Sequence, residues 1–293
     1  MYDDGIIISA ISLKRIMKSL LILTDFSEAA FRAAEYACGI APLLQVDRFI
    51  LYHAYQTYVG GTEIPIIEDS HEVYLASMES LGLQHDRLST LAGPGVKIEM
   101  MAREGLLTDT IAAYAEQENI AAIVMGVSGK SGLEALLLGS VTAEILKTST
   151  VPVLVVPGDA LVGRPVKTVV FATDLKDVNH LSAARLDDFL GAFKAQLYIV
   201  NVGGETDEKY RPETFEAITD LHRLLEKYNP TFGYISRDDV VDGILSYAKE
   251  RQASMIISVP KKHGGFSALF HKSISKKLAY NSNVPLLFLP GLE

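Results

Sequence analysis

The stretch AAIVMGVSGKSGLEALLLGSVTAEILKTSTVPVLVVP, Ala121 to Pro157, decides the fold. It opens with the apolar run Ile123-Val124-Met125, continues through a loop carrying Gly126, Gly129 and Gly139, and then reaches Ser140 at the head of a helical pattern. It closes with a second apolar run, Val151 to Val156. Short continuous apolar runs bounded by turn residues read as strands of a parallel sheet covered on both faces. A strand, a glycine loop and a helix start in that order present free backbone N–H groups to an anion.

Upstream of this stretch the same alternation recurs. Ser19 to Leu23 is an apolar run ending in Thr24-Asp25, and Ser27 is placed to cap a helix whose residues Phe31, Ala34, Cys38 and Ala41 fall at helical spacing, with Pro42 expected to stop it. Phe49 to Tyr55 reads as the second strand, Ser70 to Leu91 as a long helix, Val96 to Met101 as the third strand and Leu107 to Gln117 as the third helix. Strands alternating with helices predict right-handed crossovers and a parallel sheet.

Past GDALVGRP, Gly158 to Pro165, the pattern starts again. KTVVFATDLKD from Lys167 echoes KSLLILTDFSE from Lys18, which sets Asp174 where Asp25 stands. KSISKKLAYNSNVPLLFLP from Lys272 aligns without gaps to GSVTAEILKTSTVPVLVVP from Gly139. The expected organisation is an extension over 1–16, with Met17 an alternative start, a first domain over 17–157, a linker over 158–165 and a second domain over 166–293. Each domain is expected to be an open five-stranded parallel α/β sheet of Rossmann-like form, the two packed as a pseudo-dimer. The end strands VPVLVVP and VPLLFLP are too apolar to be left as free edges, so the two halves are expected to join through them, and further self-association into a homo-oligomer stays open.

Composition limits the function. The net charge is −9, which would repel nucleic acid and anionic membrane overall, so neither is expected as a partner. No apolar run reaches the ~18 residues of a spanning helix. The N-terminal residues begin with acids and are split by Lys14, Arg15 and Lys18, unlike an export signal. The single cysteine, Cys38, reads as a small packed residue in a reducing compartment, and a cytoplasmic location is expected.

Three phosphate-binding patterns compete for the glycine loop. Gly129-Lys130-Ser131 imitates the end of a P-loop, but that motif's first glycine would have to be residue 124, which is Val124. A dinucleotide fingerprint should follow the first strand, where Thr24-Asp25-Phe26-Ser27 has no glycine. A carboxylate at Asp25 would repel phosphate but can accept hydrogen bonds from an amino group or ribose hydroxyls. The pattern that fits is G-x2-G-x9-G-S, made by Gly126, Gly129, Gly139 and Ser140.

With the Thr-Asp first turn and the VPVLVVP end strand, the chain resembles the ATP-binding branch of the universal stress protein family over nearly all of residues 17–291, as a tandem of two domains. The resemblance implies ATP as ligand, with or without Mg²⁺, lying across the carboxyl ends of the sheet. It implies that Asp25 meets the adenine side, that Ala54 contributes backbone groups, and that Gly126 lies by the ribose. Gly129, Gly139, Ser140 and Val141 would hold the phosphates at the positive end of the following helix. Plainer readings stand beside these: Asp25 and Ser140 as helix caps, Lys130 as an exposed lysine, His53 as a structural histidine.

In the second half the gapless alignment sets Val259, Lys262 and Lys272 where Gly126, Gly129 and Gly139 stand, and only Ser273 matches Ser140. One working nucleotide site per chain is therefore expected. The segment KKHGGFSALFHKS is a positive cluster that suits an anion or another phosphorylated ligand, a solvated face or an intramolecular docking surface. The reading of the whole is a nucleotide-dependent stress or regulatory protein and not a dedicated enzyme, because no general base, arginine finger or Mg²⁺-binding acids accompany the loop. The alternatives are an adenylyl-transferring or ATP-hydrolysing enzyme of the same fold, or a ligand-free interaction module.

Overall fold

The computed structural model describes residues 18–59, 66–67, 69–117, 119–128, 140–175, 178, 182–203, 212–259 and 274–291. In the first half the strands are β1 (Ser19–Leu23), β2 (Arg48–Tyr55), a short hairpin of β3 (Tyr58–Val59) and β4 (Ile66–Ile67), then β5 (Lys97–Glu104), β6 (Ile120–Val127) and β7 (Val153–Pro157). Between them lie α1 (Glu28–Leu44), α2 (Ser70–Ser89), α3 (Leu107–Gln117) and α4 (Ser140–Thr148). The second half contains β8 (Thr168–Ala172), α5 (Ala183–Phe193), β9 (Gln196–Gly203), α6 (Pro212–Leu225), β10 (Thr231–Ser236), α7 (Val240–Glu250), β11 (Met255–Ser258), the helical residues 274–281 and β12 (Leu286–Phe288).

All the long strands enter one sheet of ten, in the order β10-β9-β8-β11-β12-β7-β6-β1-β2-β5. The two expected five-stranded parallel sheets are its two halves. They are fused by an antiparallel ladder, β7 with β12, through Leu286↔Val155, Leu287↔Leu154 and Phe288↔Val153. The apolar end strands thus cover each other: every residue of β7 and of β12 is buried.

The register verifies the repeat. Ile123 pairs with Val153 in the first half as Ile256 pairs with Leu286 in the second. Leu21 pairs with Ile123 as Val170 pairs with Ile256. These pairs follow the two gapless alignments without a slip, so positions can be compared half against half.

One face of the sheet is packed by α1, α2, α5 and α6, through residues such as Ala37, Leu81, Leu88, Leu190 and Leu221, in a core that runs unbroken through both halves. The other is packed by α3, α4, α7 and residues 274–281, through Ile111, Ile145, Ile244 and Leu278. With apolar cover on both sides, β1 has no exposed residue.

Pro42 does not stop α1, which runs through it to Leu44 and ends where Gln45 turns left-handed at φ 55°. A proline in the last turn withholds only one N–H, and the end is closed by Val46 N–H donating to Ala41 O at 2.9 Å.

Candidate functional site

The candidate site is built from the turn that follows β1. The β1–β2 ladder ends at Leu23↔Tyr52, and Thr24 N–H then donates to Tyr52 O at 2.9 Å. Thr24 is nearly buried; its hydroxyl donates to Gln84 Oε1 of α2 at 2.7 Å and accepts the Phe26 N–H at 2.9 Å. Phe26 is left-handed, φ 66°, a conformation that costs a non-glycine residue roughly 1–2 kcal/mol. The chain reverses sharply there, and Ser27 caps α1 by accepting Ala30 N–H at 3.2 Å.

The cap role therefore belongs to Ser27. Asp25 is exposed, and one of its oxygens accepts the Ser27 N–H at 3.0 Å. This local bond fixes the carboxylate at the carboxyl end of β1 without burying it.

Neighbouring strands bring the other positions to the same edge, since β6 and β2 flank β1. Ala54 lies near the end of β2, half-buried and in register with Arg103 of β5. Gly126 lies near the end of β6 and pairs with Val156. A Cβ on Gly126 would come within 2.2 Å of the Ala29 carbonyl oxygen and 2.7 Å of Ala30 N, so the glycine is what lets the first turn of α1 sit against β6. This packing reason for Gly126 was not visible in its motif. α4 begins at Ser140, followed by the exposed Val141 and the buried Thr142. Gly129, Gly139 and Lys130 lie outside the described residues, as do the side chain of Ser140 and the second-half positions Lys262, Lys272 and Ser273.

Two residues that no local motif announces fix the chain at this edge, one at the turn and one at the β2–α2 connection. His53 donates from Nδ1 to the Thr24 carbonyl at 2.8 Å, which fixes its tautomer, and its ring lies 4.3 Å from that of Phe26. Glu104, at the end of β5, accepts from Thr57 at 2.7 Å and from Ser70 at 2.8 Å, tying both ends of the β2–α2 connection to the sheet. Those two hydrogen bonds hold the Glu104 carboxyl below its ordinary range. Both arrangements join residues far apart in the chain, so spacing alone could not reveal them.

The second half repeats the turn but not its surroundings. Leu175 is left-handed at φ 61°, and its N–H donates to Thr173 Oγ1 at 3.1 Å, as Phe26 does to Thr24. Asn201 Nδ2 donates to Thr173 O at 3.0 Å, in the place of His53. The difference lies in the helix that follows. α5 ends at Phe193, the counterpart of Leu44, yet it has 11 residues to the 17 of α1 and starts behind Ser182. The position of Gly126 is taken by Val259. Where the strand end carries a side chain, the helix that would have touched it begins later.

Cys38 fits its reading as a small packed residue: burial, with the neighbouring Glu35 carboxylate second, pushes its thiol up to about 11. Among the described residues no group of three metal-ligating side chains occurs, and no helix is long and apolar enough to cross a membrane.

Comparison with known proteins agrees with this architecture. The chain is 33% identical over 146 residues to a universal stress protein of Methanocaldococcus jannaschii, covering 49% of this chain and 84% of that protein. It is 27% identical over 143 residues to universal stress protein YxiE of Bacillus subtilis, covering 47% of this chain and 97% of that one. Its fold matches the crystal structure of a universal stress protein from Archaeoglobus fulgidus with a TM-score of 0.71 at 20% identity, over 94% of this chain and 97% of the other. The model of the universal stress protein family matches twice, over residues 17–157 and 165–290, and the chain therefore belongs to that family, with two of its domains in tandem.

Proposed function

We propose that the first half binds one adenine nucleotide, ATP, at the carboxyl edge of β6, β1 and β2, and that the chain acts as a nucleotide-dependent regulatory protein. The observation that carries this reading is the convergence of three independently positioned residues. Asp25, Ala54 and Gly126 stand at the carboxyl ends of three adjacent strands, and β6 leaves the same edge on the way to α4.

The donor set suits the ligand. An exposed carboxylate at Asp25 accepts hydrogen bonds from an adenine amino group or ribose hydroxyls. The first turn of α4, at Ser140 and Val141, has backbone N–H groups without intrahelical acceptors to offer to phosphates, and Gly129 and Gly139 would let backbone approach them closely. Mg²⁺, where present, would be carried by the phosphate oxygens. The second half lacks the glycine at Val259 and carries lysines at two loop positions, so it is assigned no nucleotide.

Mass spectrometry of ligand released from the purified protein, followed by calorimetric titration with ATP, tests this. One nucleotide per chain is expected, with binding lost in Gly129→Asp and weakened in Gly139→Ala. No binding at millimolar ATP, or two nucleotides per chain, contradicts it. Steady-state turnover of several ATP per second, abolished in Asp25→Ala, would move the protein to the enzyme class.

A further inference from the structure

We infer that His53 is a positioning residue for the nucleotide site, acting as a hydrogen-bond donor that fixes the Thr24-Asp25-Phe26 turn and so the Asp25 carboxylate. The inference rests on the nucleotide reading for its functional consequence and on the structure alone for the positioning.

Main-chain pairing between β1 and β2 ends one residue before Thr24, whose N–H still bonds to Tyr52 O. The Thr24 carbonyl is taken by a side chain, His53 Nδ1–H at 2.8 Å. The next residue is Asp25 and the one after is the left-handed Phe26, whose ring lies over His53. The imidazole thus holds the turn from its carbonyl, beside the tilted ring of Phe26.

The second half supplies an internal control. There the β8–β9 ladder ends at Ala172↔Val200, Thr173 N–H bonds to Val200 O at 3.0 Å, and Asn201 Nδ2 donates to Thr173 O. Two chemically different side chains make the same bond to the same carbonyl beside the same left-handed residue. What the position requires is a donor of the right reach, and neither titration nor metal binding by an imidazole is part of that requirement. Only in the first half does the turn present its aspartate beside a glycine-bearing β6.

The test compares His53→Ala, His53→Asn and Asn201→Ala in the full chain. Without ligand, hydrogen exchange reads the amides of Phe26, bonded to Thr24 Oγ1, and Ser27, bonded to Asp25. Loss of the anchoring bond in His53→Ala is expected to speed both by about tenfold, and His53→Asn to restore wild-type rates. Unchanged exchange in His53→Ala overturns the positioning role whatever the protein binds.

With ATP, calorimetry is expected to show affinity about tenfold weaker in His53→Ala, near wild type in His53→Asn, and unchanged in Asn201→Ala although that variant loses the equivalent bond. If exchange quickens in His53→Ala but ATP affinity holds, His53 shapes the turn and not the site, and the proposal fails. A wild-type chain that binds no nucleotide sinks the nucleotide reading and with it the functional half of this one, while the exchange result still decides the positioning.

Discussion

At the scale of single residues, neighbours in one turn divide the work. Ser27 caps α1, so Ser27→Ala should cost about 1 kcal/mol of stability in denaturant unfolding. Asp25 is exposed and makes one local bond that asparagine can also accept, so Asp25→Asn should change stability by less than ~0.5 kcal/mol. The same change should weaken ATP roughly tenfold or more, because it removes a charged acceptor. Matching losses of stability and affinity in both variants would contradict the division. Glu104 gives a pH-dependent case. Its folded value lies below its ordinary 4.5, so its contribution is full above 4.5 and is lost as pH falls through the lowered value. Melting temperatures of wild type and Glu104→Gln should differ by a constant amount at neutral pH and converge only in acid. The Ser27 cap and the placement of Asp25 and Gly126 at one edge of the sheet are legible, because position in the chain marks them. His53, Gln84 and Glu104 are not, because each acts through a partner that only the sheet and its helices bring near.

At the scale of elements, strands were read more securely than helix ends. A buried strand is announced by its own apolar run, whereas a helix end depends on what it meets. Sequence alone predicts the end of α1 at Pro42, and the structure carries it to Leu44. The late start of α5 had no local sign, but it accompanies Val259, which sits where Gly126 admits the first turn of α1. Gly126→Ala should therefore destabilise by about 1–3 kcal/mol, since the added carbon meets backbone that cannot rotate aside. The loss should appear as faster exchange in the first turn of α1. Val259→Ala, which adds no atom at the counterpart strand end, should leave α5 exchange unchanged. Equal effects at the two positions would show that Gly126 has no special relation to α1.

At the scale of the whole molecule, the fold was legible as two halves, and the manner of their joining follows from the register. Leu154 and Leu287 are counterparts in the gapless alignment, and they are also the central pair of the β7–β12 ladder. Val155 faces Leu286 on one side of that pair and Val153 faces Phe288 on the other, and these too exchange places under the alignment. The ladder is thus symmetric about Leu154 and Leu287, and nothing in its geometry requires the partners to differ. Two copies of the first half could pair through β7 with Leu154 against Leu154. A half produced alone would otherwise expose a fully buried apolar edge strand, which is a strong drive to association. Residues 17–157 expressed alone should therefore be a dimer by light scattering, and Val155→Pro, which removes an N–H on the side of β7 that faces β12 and distorts the edge, should abolish it. In the full chain the same partner is supplied covalently, with α1 and α5 packed in one continuous core, so it should unfold in a single transition. A stable monomeric half, or two separated unfolding transitions in the full chain, would mean that the joint between β7 and β12 is weaker than its burial implies.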